Sequence, residues 1–150
     1  MTHLLACIDF SPVTRDVLAH AKRMAQALGA EVTVLHVADP DPAFVGYDPG
    51  PKSVRDNVAR ELRAEHRELE ELCDAMRGEG LSVRPLMVQG AAEARILEHA
   101  ERLAVDYLVL GSHGHGALYD LLVGSVADGV MRHARVPVLM VPSHPGGKAR

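Results

Sequence analysis

Short apolar runs alternate with helix-periodic stretches along the whole chain, and that alternation is the strongest constraint on its fold. His3 to Ile8, Glu31 to Val37, Leu81 to Val88, Tyr107 to Leu110 and Val136 to Val141 read as strands. Between the first two, Val13, Val17, Leu18, Ala21, Met24, Ala25 and Leu28 recur at helical spacing. Ser11 is the expected cap of that helix, Pro12 its first residue and Gly29 its stop. A long stripe from Ser53 to Arg77, a shorter one carrying Ile96, Leu97 and Ala100, and Val126 to Ala134 supply three more helices. Strands that each feed a helix imply an α/β fold, with one parallel sheet covered by helices on both faces. A length of 150 residues fits one domain with a sizeable core. Residues 1–143 are read as that domain and 144–150, with Gly146-Gly147, as a flexible tail.

The stretch after the fourth strand carries the functional signal. Gly111-Ser112-His113-Gly114-His115-Gly116 is a glycine-rich loop, and Gly124-Ser125 then precedes the last helix, with Ser125 as its expected cap. A strand that empties into such a loop and then a helix N-terminus makes an anion site, most often for phosphate. The P-loop pattern does not fit, because no lysine lies in the stretch. The dinucleotide fingerprint does not fit either, because it belongs after the first strand. A glycine-rich turn without ligand remains the competing reading. Asp9, at the end of the first strand, reads either as a ligand-facing acid or as a helix N-terminal acid stabilised by the dipole.

Gly111-x2-Gly114-x9-Gly124-Ser125 resembles the nucleotide-binding signature of the universal stress protein family. Ala6-Cys7-Ile8-Asp9, Leu35-His36-Val37, Val88-Gln89-Gly90 and Val136-Pro137-Val138-Leu139-Met140-Val141-Pro142 resemble the family's other strand ends, in order and over nearly the whole chain. The resemblance implies a Rossmann-like, adenine nucleotide alpha hydrolase-like sandwich with strand order 3-2-1-4-5. It also implies ATP or another adenine nucleotide as ligand. By that carry-over Asp9 lies beside the nucleoside and Val37 meets the base through its backbone. Gly111 and Gly114 let the loop wrap the ribose and phosphates, and Leu110 just before them is counted among the nucleotide-binding residues. His115 reaches a phosphate, and Gly124, Ser125 and Val126 offer backbone N–H groups. Magnesium would arrive with the phosphates. Antiparallel pairing of the Val136–Val141 strand with its copy would make a homodimer.

Composition limits the other functions. Aromatics are 3% and the net charge is −4, with lysine only at 22, 52 and 148, so no nucleic-acid surface is expected. No apolar run approaches the roughly 18 residues of a membrane helix. Met1 to Ile8 is too short for a signal peptide, and a cytoplasmic protein is expected. Cys7 and Cys73 form no C-x-x-C pair and read as two free thiols. His113 and His115 alone make an incomplete zinc ligand set. The proline- and glycine-rich stretch from Asp39 to Pro51 reads as a surface insertion, with Phe44 or Tyr47 over a base as the functional alternative. The expected role is a nucleotide-dependent regulatory module of the stress response. The alternative is a slow ATPase or nucleotide-transfer enzyme in the same cleft. No catalytic residue is assigned, because the glycine loop has neither Arg nor Lys to meet a γ-phosphate.

Overall fold

The computed structural model describes residues 1–40, 52–113 and 123–143. The proline-rich stretch at 41–51, the loop at 114–122 (with Gly114 and His115) and the tail at 144–150 lie outside the described residues.

The elements run β1 (His3–Ile8), α1 (Thr14–Leu28), β2 (Glu31–Ala38), α2 (Lys52–Gly78), β3 (Val83–Gln89), α3 (Ala92–Arg102), β4 (Tyr107–Gly111), α4 (Ser125–His133) and β5 (Val138–Val141). All strand pairs are parallel and the order is β3-β2-β1-β4-β5, as the resemblance implied. Strand β1 is central, with Leu5 opposite Thr33 on one side and Leu108 on the other.

Alternation along the strands divides the core between the two faces. Leu4, Ala6, Ile8, Val32 and Val34 pack with Val17 and Ala21 of α1 and with Leu69 and Cys73 of α2. Leu5, Cys7, Leu35, Leu108 and Leu110 point the other way, onto Ile96 and Ala100 of α3 and Ala127 and Val130 of α4. The central strands are buried on both faces, which explains their unbroken apolar runs. At the amino end of β1 the buried His3 is held by polar contacts. Its backbone N–H donates to Asp106 Oδ2 (2.7 Å), and its Nε2 lies 2.8 Å from Thr33 Oγ1.

The helix starts differ from those expected. Helix α1 begins at Thr14, not Pro12, with Val13 as its N-cap residue and no side-chain cap bond. Ser11 instead closes a turn: its N–H donates to Asp9 Oδ1 (3.0 Å), and its carbonyl accepts from Thr14 N (3.0 Å). Its hydroxyl is buried without a protein partner among the described residues. A turn led by the Asp9 carboxylate therefore stands just where a Ser-Pro cap was expected. At α4 the N-cap is Gly124 and Ser125 is the first helical residue, again with no side-chain cap bond. Gly29 ends α1 in the left-handed region (φ +62°), as its position suggested.

Candidate functional site

The chain leaves β1 for one side of the sheet and returns to β4 for the other. Their carboxyl ends therefore diverge into a crevice, the place where open α/β sheets hold ligands. A cavity of about 610 Å³ occupies it. Of the residues singled out from sequence, Asp9, Val37, Leu110, Gly111, Gly124, Ser125 and Val126 all line it. Gly114 and His115 belong to the stretch outside the described residues. A second, shallower groove of about 530 Å³ lies between α2 and β3. Its described lining includes no helix N-terminus or glycine loop, so the crevice is the stronger candidate.

Each wall of the crevice has a local cause. Asp9 is fixed by its bond to Ser11 N, and Phe10 beside it takes a left-handed backbone (φ +59°), uncommon for a bulky residue. On the opposite wall Gly111 ends β4 against α1. A Cβ there would lie 2.6 Å from Val13 Cγ1, so this glycine is required by close packing rather than by positive φ. Gly124, at φ −70° and ψ 162°, is likewise not in the left-handed region. Its added Cβ would stand 3.2 Å from Ser112 O and 3.5 Å from His113 Cα. Both glycines are therefore spacers.

A knot of hydrogen bonds joins the two ends of the glycine loop to the strand beside it. Ser112 N donates to Val141 O (2.8 Å), and Gly124 N donates to Ser112 O (2.7 Å). Ser143 N donates to Ser112 Oγ (2.9 Å), while Ser143 Oγ donates to His113 O (3.2 Å). Sequence reasoning missed Ser112 and Ser143; a serine just past each of two neighbouring strands was the available signal. The knot also corrects one expectation. The Gly124 N–H is committed to Ser112 and is not offered to phosphate. The ladder of α4 opens with Asp128 N donating to Gly124 O (2.9 Å). The amides of Ser125, Val126 and Ala127 therefore have no partner within the helix. They and the helix dipole form the anion-attracting point of the crevice.

The described lining of the crevice carries three carboxylates and two histidines. Asp9, Asp39, Glu65, His36 and His113 line it, and no Lys or Arg is among its described lining. Cys7 lies on its floor, but burial pushes the thiol up to about 12, so it is not a thiolate nucleophile near neutrality. Cys73 is buried and pushed up to about 11. Among the described residues no group of three His, Cys, Asp or Glu side chains could hold a metal ion. The second feature missed from sequence is the contact of His36 with Ile8 O and Glu65, each at 3.1 Å.

The pattern of the Universal stress protein family matches residues 1–142. The chain belongs to the universal stress protein family. Universal stress protein A homolog 1 of Coxiella burnetii is 34% identical over 142 residues, covering 93% of this chain and 94% of that protein. Among solved structures of this fold is MJ0577 from Methanocaldococcus jannaschii. It has a TM-score of 0.79 and 28% identity, and the match covers 95% of this chain and 96% of that one. An Arabidopsis thaliana universal stress protein family member, solved with AMP bound, shares the fold. Its TM-score is 0.69 at 17% identity, over 97% of this chain and 94% of that one.

Proposed function

We propose that this universal stress protein binds ATP, with magnesium carried on the phosphates, and acts as a nucleotide-dependent regulatory module. One observation carries the reading: Asp9 and Val37 on one wall, and the N-terminus of α4 on the other, line a single cavity at the switch point of the sheet. A nucleoside beside Asp9 and Val37 leaves its phosphates to the amides of Ser125, Val126 and Ala127 and the Ser125 hydroxyl. The AMP bound by the Arabidopsis relative is consistent with an adenine nucleotide here. Phosphate held by amides and a dipole, with no Lys or Arg among the described lining, favours binding over transfer chemistry. Any hydrolysis is accordingly slow, below about 1 per second. The reading extends to a homodimer through β5, an edge strand whose Leu139 is exposed. It also extends to the cytoplasm, where unpaired thiols such as Cys7 and Cys73 persist. No helix among the described residues is long and apolar enough to cross a membrane.

Calorimetry with ATP and with inorganic tripolyphosphate tests the reading. A hydrogen bond to a charged group contributes about 1.5–3 kcal/mol. Asp9→Ala should therefore weaken ATP roughly tenfold or more and leave tripolyphosphate unchanged. Equal losses for both ligands would move Asp9 away from the nucleoside. ATP binding unaffected by the substitution would remove it from the site.

A further inference from the structure

His36 is almost wholly buried, and both of its ring nitrogens are engaged. Nδ1 lies 3.1 Å from the carbonyl oxygen of Ile8, and Nε2 lies 3.1 Å from Glu65 Oε2 on α2. A carbonyl can only accept, so Nδ1 carries a proton and donates. The Ile8 carbonyl belongs to the peptide unit whose N–H is that of Asp9. On the other side of Asp9, the Phe10 ring packs on the imidazole with centroids 4.5 Å apart. The left-handed backbone at Phe10 costs on the order of 1–3 kcal/mol and persists only where the surroundings impose it. His36 thus grips the chain immediately before and immediately after Asp9.

The other end of the same side chain reaches a half of α2 with no fully buried side chain. Helix α2 has 27 residues, yet its buried side chains are Leu69, Cys73 and Met76, all in the C-terminal half. From Lys52 to Glu68 no side chain of α2 is fully buried. Glu65 lies one turn before Leu69, where firm packing stops, and its bond to His36 ties the exposed half of the helix to the crevice.

We propose that His36 is a positioning residue that sets Asp9 for the nucleoside and, through Glu65, couples nucleoside binding to the docking of the N-terminal half of α2. The inference rests on the nucleotide reading above. A ligand held by Asp9 favours the arrangement in which Ile8 O, His36 and Glu65 are joined. By linkage, it favours the docked helix to the same extent.

Two substitutions separate the two ends of the imidazole. In His36→Asn the amide nitrogen falls near the Nδ1 position and can still donate to Ile8 O; in His36→Gln it falls near Nε2 and can still meet Glu65. Glu65→Ala removes the tether at a partly exposed position. Calorimetry with ATP and tripolyphosphate is combined with amide hydrogen exchange of residues 58–68, with and without ATP. The expected results are these. His36→Gln binds ATP about tenfold more weakly and tripolyphosphate as before, while His36→Asn recovers most of the ATP affinity. In the wild type ATP slows exchange in 58–68 by about threefold or more, and in Glu65→Ala it does not. Equal loss of both ligands in His36→Gln, or unchanged ATP affinity in both His36 variants, overturns the positioning role. Undiminished ATP-dependent protection in Glu65→Ala overturns the coupling. A wild-type protein that binds no ATP rejects the nucleotide reading itself, an outcome distinct from the others.

Discussion

Gly124→Val is expected to reduce ATP affinity by two orders of magnitude or more while the protein stays folded. The backbone at Gly124 (φ −70°, ψ 162°) is open to any residue, so valine brings no conformational strain there. The penalty is steric. The Cβ would stand 3.2 Å from Ser112 O, tighter than ordinary contact, and valine adds two methyl groups beyond it. They must enter either the Ser112–His113 backbone or the mouth of the crevice where α4 begins. In the first case the Gly124 N to Ser112 O bond and the serine knot are pushed apart. In the second the methyls take the space of the phosphates. Both outcomes remove the aligned amides of Ser125 and Val126 from the ligand. Gly124→Ala, with the Cβ alone, should fall between valine and wild type. Calorimetry with circular dichroism as the folding control checks the series. Full ATP affinity in a folded valine variant would reduce the glycine to a turn residue.

Leu108→Ala should have the opposite profile: a large loss of stability with little change in binding. Leu108 is fully buried in β4, between β1 and β5, in the cluster with Ile96, Ala100 and Val130. Parallel neighbours on both sides and helices on that face leave the site little room to collapse. A Leu→Ala change in such a core costs about 2–5 kcal/mol. Domains of this kind hold only about 5–15 kcal/mol in total. Urea denaturation should show that loss as a lowered midpoint at an unchanged slope. At low temperature the folded fraction should still bind ATP within about threefold of wild type, because Leu108 does not line the crevice. A stability loss under about 1 kcal/mol would mean that α3 and α4 pack more loosely on this face than the structure shows.

These two residues also show how far the sequence could be read. Leu108 lies in an apolar run too short for a helix and flanked by Asp106 and Gly111, so local pattern alone identified a buried strand. Strand order is a long-range property; it came from the family resemblance, and pairing of β1 with both β2 and β4 agrees with it. Gly124 is legible as a special position from the sequence, but the physical reason for it is not. Loop glycines suggest positive φ, whereas the structure shows extended backbone pressed against Ser112. At Ser11-Pro12 a good local cap signal goes unused: Ser11 N donates to Asp9 Oδ1, Ser11 O accepts from Thr14 N, and the helix begins at Thr14 without a side-chain cap bond. The role of His36 is not legible in the sequence, because its partners, Ile8 and Glu65, are 28 and 29 residues away in the chain. Periodicity carries no information at that separation. The Ser112–Ser143 pairing, 31 residues apart, was hidden for the same reason.

The central claim is that an adenine nucleotide occupies the crevice between the carboxyl ends of β1 and β4. Amide chemical-shift mapping during an ATP titration tests it most directly. The account predicts the largest shifts at Asp9, Val37, Ser125 and Val126, with smaller ones at Ile8 and Ser112. Saturable shifts confined to Leu62, Met87 and Gln89 in the groove between α2 and β3, or no shifts at millimolar ATP, would contradict it.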